Sequence, residues 1–148
     1  MSGTEGAGSE RGSKRPKLFT NFASPLLVRD DIPRDITHAR ISPSVKSIGV
    51  AAFKDCEQLI EVDLSEGLEH IGDGSQLDEG AFQNCKSLRH MKVPFTVKKI
   101  GTCAFKGCEK LFDVVLCEGL EKLDLQAFHG CKALHCQLSW CERIFALL

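Results

Sequence analysis

The sequence predicts an α/β repeat solenoid, a short stack of about four 23-residue coils with a parallel β-sheet on one face. Three observations carry this expectation. Phe53, Phe82, Phe105 and Phe128 are separated by 29, 23 and 23 residues, and two further sets, Cys56/Cys85/Cys108/Cys131 and Leu59/Leu88/Leu111/Leu134, keep that spacing. Upstream, Ile48, Ile71, Ile100 and Leu123 are spaced 23, 29 and 23, as are Val45, Leu68, Val97 and Leu120. The two patterns together place an insertion of 29 − 23 = 6 residues between Ile71 and Phe82, within 73–79.

Each unit opens with a strand signal. Ala39/Ile41, Val62/Leu64, Met91/Val93 and Val114/Leu116 alternate with mostly polar neighbours, the period of a half-buried strand. A second short apolar pair follows, Val45/Ile48 in the first unit. Gly49, Gly72 and Gly101 then permit a sharp turn, with Asp124 in that place in the fourth unit. The stretch "AF..C..L" is expected to turn Ala, Phe, Cys and Leu inward through a tight helical turn. Ordering one unit costs roughly 1–2 kcal/mol per residue of backbone. Its few buried side chains return only about 1.5–3 kcal/mol each. A single unit cannot fold, whereas stacked units share a continuous core.

The pattern "V..IG..AF..C..L" resembles the BspA-like leucine-rich repeat, also called the Treponema pallidum type. Pro94 adds to the likeness, standing where that family often has proline after the strand; Ser42, Ser65 and Cys117 take its place in the other units. The likeness covers about residues 36 to 134. It implies a short right-handed leucine-rich-repeat stack, and it implies proteins as the binding partners.

The flanks divide the rest of the chain. Residues 1–17 are rich in Gly, Ser, Glu and Lys and are expected to form a disordered tail. Residues 18–35 are expected to cap the first coil, and 135–148 to form a C-terminal cap or a truncated repeat, with a surface for self-association as the alternative. No apolar stretch in "MSGTEGAGSERGSKRPK" looks like a secretory signal, so an intracellular location is expected, cytoplasmic or nuclear. The basic cluster Ser13 to Lys17 is a weak nuclear signal.

Charge narrows the function classes. Nineteen basic residues face twenty acidic ones among 148, a net charge of −1, which gives no field to attract nucleic acid or an anionic membrane. No apolar run approaches the roughly 20 residues of a membrane span. GxSxG, a glycine-rich phosphate loop and HExxH are all absent, and there is no tyrosine, so neither catalysis nor a cofactor is expected. The insertion "DGSQLDEG" does not follow the EF-hand pattern and reads as a surface loop.

Eight cysteines need an explanation in a reducing compartment. Cys56, Cys85, Cys108 and Cys131 recur once per unit beside inward residues, so together with Phe53, Phe82, Phe105 and Phe128 they read as a packing ladder. A line of thiols does not converge on a tetrahedral metal. Cys103, Cys117, Cys136 and Cys141 lie off that ladder. Cys103 is aligned with Val50, Asp73 and Leu125, which would make it near-surface and the most reactive thiol of its stretch. "HCQLSWC" has a C-x4-C spacing unlike the usual zinc knuckle.

The outward strand positions form two columns. One reads His38, Glu61, His90, Asp113 and the other Arg40, Asp63, Lys92, Val115, so opposite charges alternate from strand to strand. A metal on His38, Glu61 and His90 is disfavoured, because two strand spacings separate the histidines. The expectation is therefore a non-enzymatic interaction module that binds protein through His38, Arg40, Glu61, Asp63, His90, Lys92 and Asp113. The alternatives are a metal- or redox-responsive thiol protein and a fragment of a longer repeat array.

Overall fold

The computed structural model describes residues 15–21, 24–73, 79–124 and 126–134. Ten short strands alternate between two parallel five-stranded sheets. The first sheet runs β1 (Leu18–Asn21), β3 (His38–Ile41), β5 (Glu61–Asp63), β7 (His90–Lys92) and β9 (Asp113–Val115). The second runs β2 (Leu26–Leu27), β4 (Ser47–Gly49), β6 (His70–Asp73), β8 (Lys99–Ile100) and β10 (Lys122–Leu123). Each coil therefore gives one strand to each sheet before the chain advances. This is the repeat solenoid that the 23-residue period predicts.

Alternation sets the first sheet. Val62, Met91 and Val114 are buried between exposed neighbours in β5, β7 and β9. The second apolar pair turns out to form a sheet of its own, with Ile48, Ile71 and Ile100 fully buried. Residues 18–35 add β1 and β2 to the two sheets. Leu27 and Ile32 from this segment are buried in the core, and Phe19 meets Phe53 edge-on at 6.5 Å. One 3-10 turn, Arg29–Asp31, links β2 to β3.

The "AF..C..L" stretch turns Ala52, Phe53, Cys56 and Leu59 inward as expected, through tight turns such as Cys56 N–H to Phe53 O at 3.1 Å. Among the described residues no coil carries an α-helix, so the α part of the predicted α/β class is replaced by turns. Left-handed positions, two in each of three coils and one in the second, explain this. Ala51, Cys103 and Gln126 have φ of 56°, 56° and 58°, and Asp55, Asn84, Gly107 and Gly130 have 61°, 60°, 74° and 76°. A left-handed residue stops a right-handed helix within a turn. The freed amides bond to the next coil instead: Phe53, Phe82 and Phe105 donate to the carbonyls of Ala81, Ala104 and Ala127, each at 2.7 Å. The third side of the solenoid is thus a ladder of inter-coil hydrogen bonds.

Beneath this ladder the four phenylalanines stack in single file. Ring centroids are 4.8, 5.2 and 5.1 Å apart and the ring planes differ by only 4–6°. The cysteines are fastened to the same column. Cys85, Cys108 and Cys131 each donate a thiol hydrogen bond of 3.1 Å to the carbonyl of the phenylalanine one coil earlier, on Phe53, Phe82 and Phe105. Cys56 and Cys108 are fully buried and Cys131 is half-buried at the last described coil. Gly101 shows how closely the coils approach: a Cβ there would lie 2.2 Å from the carbonyl oxygen of Gly72.

Candidate functional site

The outer face of the first sheet gathers the charged columns. Parallel register sets His38 opposite Glu61, Arg40 opposite Asp63, Glu61 opposite His90, His90 opposite Asp113 and Lys92 opposite Val115. β1 adds a row below, with Leu18 opposite His38 and Thr20 opposite Arg40. The buried residues between them point into the core, so period-2 geometry sends the charges outward. Arg40, Glu61, Asp63, His90, Lys92 and Asp113 are exposed, while His38 is half-buried.

Cross-strand contacts follow the register. Arg40 Nε lies 3.3 Å from Asp63 Oδ2, and His90 Nε2 lies 3.6 Å from Glu61 Oε1, an ion pair whenever the imidazole is protonated. His38 Nδ1 is 2.9 Å from Thr37 Oγ1, which holds its ring. Such exposed pairs are worth about 0–1 kcal/mol each, so they organise the face more than they stabilise the fold.

Two shallow depressions lie on this face. One of about 140 Å³ is bordered by Leu18, His38, Ala39, Arg40, Glu61 and Asp63. Another of about 210 Å³ lies between β5 and β7, where Glu61, Asp63, Glu66, His90, Lys92 and Pro94 meet. Glu61 and Asp63 border both, so β5 is a carboxylate ridge between two hollows. The larger hollow has a local cause. β5 and β7 pair only at Glu61 and His90. Ser65 Oγ donates to the Ile41 carbonyl and Cys117 Sγ to the Val93 carbonyl at 2.9 Å, but Pro94 at the same repeat position has no donor for the coil before it. Thr96, two residues on, refastens the coils by donating to Leu68 O at 2.7 Å and accepting from Gly67 N at 3.0 Å. The hollow lies between those two fastenings.

Among the described residues the off-ladder cysteines Cys103 and Cys117 do not form a site. Cys103 is fully buried, with its thiol 3.7 Å from Gln126 Oε1. The expectation that it lies near the surface is overturned. Its register partners are Ala51, Gly80 and Gln126, one place on from Val50 and Leu125, and Ala51 and Gln126 share its left-handed φ. The near-surface residue of the "IGTCAF" turn is Thr102. Cys117 is half-buried at the strand exit, and Cys136 and Cys141 lie outside the described residues. On the ladder, burial is the main cause that raises the Cys108 and Cys56 thiols, with Arg34 opposing it at Cys56. Hydrogen bonding with Cys108 comes first in raising Cys131, followed by burial. These thiols stay protonated at neutral pH. Among the described residues no group of three or more His, Cys, Asp or Glu is arranged to hold a metal ion.

The second sheet carries an alternation that went unread in the sequence. Lys46 pairs with Glu69 at 3.9 Å and Lys98 with Glu121 at 3.4 Å. The signal was available, since these residues share one repeat position, but it becomes legible only once the second apolar pair is taken as a strand.

Parallel strands, a repeat-by-repeat core and inter-coil ladders on three sides define a β-solenoid repeat protein. Residues 75–144 match the family described as BspA type leucine rich repeat region (6 copies). Over that part of its length the chain is similar to BspA-type leucine-rich repeats. Solved structures agree. A leucine-rich repeat protein from Bacteroides ovatus aligns at 27% identity with a TM-score of 0.59, over 67% of this chain and 24% of that one. A leucine rich cell surface protein from Faecalibacterium prausnitzii aligns at 25% identity and TM-score 0.70, over 81% of this chain and 31% of that one. A T. pallidum leucine rich repeat protein aligns at 25% and 0.62, over 79% and 60%. The chain spans from about a quarter to three fifths of the length of these proteins. No curated protein matches it significantly.

Proposed function

We propose that this chain is a non-enzymatic protein-interaction module that engages its partner through the outer face of the first sheet. One observation carries the reading: two adjacent hollows share the Glu61/Asp63 ridge and are flanked by Arg40 and Lys92. The face has relief and a fixed charge order, and neighbouring rows already neutralise one another. Charge order of this kind supplies orientation and partner discrimination more than raw affinity. Repeat stacking keeps the rows rigid, so a partner meets a preformed surface and loses little entropy in ordering it.

The test is capture of partners from native lysate by the wild-type chain and by a variant with Asp63 and Lys92 both reversed in charge. Loss of the same proteins from the variant, with its circular dichroism unchanged, supports the strand face. Recovery of identical partners by both chains sinks it.

A further inference from the structure

We infer that the first sheet's outer face receives a single α-helix laid across its strands, carrying acidic, basic and acidic residues on successive turns. This deepens the interaction reading above and rests on it. The argument starts from the five rows of the face: Leu18/Thr20, His38/Arg40, Glu61/Asp63, His90/Lys92 and Asp113/Val115.

Width comes first. Strands β5, β7 and β9 are three residues long, which at about 3.3 Å per residue makes a strip about 10 Å wide. That is the diameter of one helix with its side chains. Pitch comes next. The rows repeat at the spacing of neighbouring strands, about 4.8 Å, so five rows extend about 19 Å. Along one helix face, residues three or four apart rise by about 4.5–6 Å, and fourteen residues rise by about 21 Å. An extended peptide presents same-side residues every 6.6–6.8 Å, or about 27 Å over four steps, and falls out of step by the third row. The helix stays within about half a row throughout.

Charge order then selects the sequence of the helix. The second row is cationic at Arg40, the third anionic at Glu61 and Asp63, and the fourth cationic at Lys92. The complement is an acid at the second position, a base at the third and an acid at the fourth. At the two ends Leu18 is 57% exposed and Val115 is 37% exposed, so an apolar residue fits over each, the one on the fifth row lying beside the exposed Asp113. The basic residue at the centre would lie along the β5 ridge, with both hollows open to its stem and to its acidic neighbours. The strip is small and half polar, so the contact is weak and salt-sensitive.

The experiment uses three labelled peptides of about 15 residues. The first is a stapled helix with Leu, Glu, Lys, Glu and Leu at successive positions of one face. The second reverses its charges, and the third has the same composition broken by prolines into an extended form. Fluorescence anisotropy is read at about 20 mM and about 0.15 M salt. The first helix is expected to bind the wild-type chain at least tenfold more tightly than the other two, and to weaken at least threefold at the higher salt. E61K/D63K is expected to invert the preference between the two helices, and R40E/K92E to abolish binding of the first. If the extended peptide binds as well as the helix and is released by E61K/D63K, the helix inference fails and the strand-face reading stands. If binding of the first helix ignores both double variants, both readings fail. If no peptide binds the folded chain, the helix inference fails.

Discussion

Replacing Cys108 separates the two things a ladder thiol does in this fold, filling space and fastening coils. Its sulfur is fully buried and donates 3.1 Å to the Phe82 carbonyl. Cys108→Ala removes one large buried atom, about 1 kcal/mol of transfer free energy. The void left behind, on the order of 20 Å³, adds about 0.5 kcal/mol. Losing the thiol hydrogen bond adds about 0.5–1 kcal/mol, and no more, because the amide of Cys85 still donates to the same carbonyl at 3.2 Å. The sum is about 2 kcal/mol, or roughly 8 °C in Tm for a chain of this size. Cys108→Ser keeps a donor and loses mainly the transfer term, so its cost should be about half as large. Chemical denaturation followed by circular dichroism, with m compared across variants, reads both numbers. A serine variant no more stable than the alanine variant would refute a fastening role for the thiol. An alanine variant within about 0.5 kcal/mol of wild type would refute the whole calculation.

Three other outcomes are expected. Gly101→Ala places a methyl 2.2 Å from the Gly72 carbonyl oxygen, a backbone atom that cannot yield cheaply, so thermal unfolding should show a loss of about 2 kcal/mol or more. The raised Cys56, Cys108 and Cys131 thiols favour the folded state below the unfolded thiol value of about 9 and lose that contribution as pH climbs above it toward their folded values. Between pH 8 and 10 the unfolding free energy should therefore fall less in Cys108→Val than in wild type, by about 1.4 kcal/mol in all. Thiol labelling of the native chain, mapped by mass spectrometry, should modify Cys117 well before Cys103; the opposite order would contradict the burial of Cys103.

Periodicity made the coil legible because burial repeats wherever the core repeats. Val62, Met91 and Val114 announce their strands by alternation, and the same alternation exposed the charged columns of the site. The third side was harder. A segment such as "AFKDC" has the apolar spacing of a helical turn, and what overrides it is backbone handedness at Asp55, Asn84, Gly107 and Gly130. In retrospect the sequence carries that signal, since Asp, Asn and Gly are the residues that tolerate a positive φ. Cys103 shows the opposite limit. A one-place slip in register turned a buried side chain into a surface one, although the spacing that aligns Phe53 with Phe105 also aligns Ala51 with Cys103. The thiol-to-carbonyl bonds and the refastening by Thr96 were hidden for a different reason: they join residues 24–32 positions apart, and no local pattern encodes their geometry.

The single-file rings have one more consequence. Centroids 4.8 to 5.2 Å apart match the spacing of hydrogen-bonded strands, so core and sheets advance in the same step. Neither can stretch without breaking the other. The molecule is therefore graduated in units of about 5 Å, one graduation per coil, and any length along its face comes in whole coils. Lengthening such a face is a matter of copying a coil, while changing its pitch would require a different core.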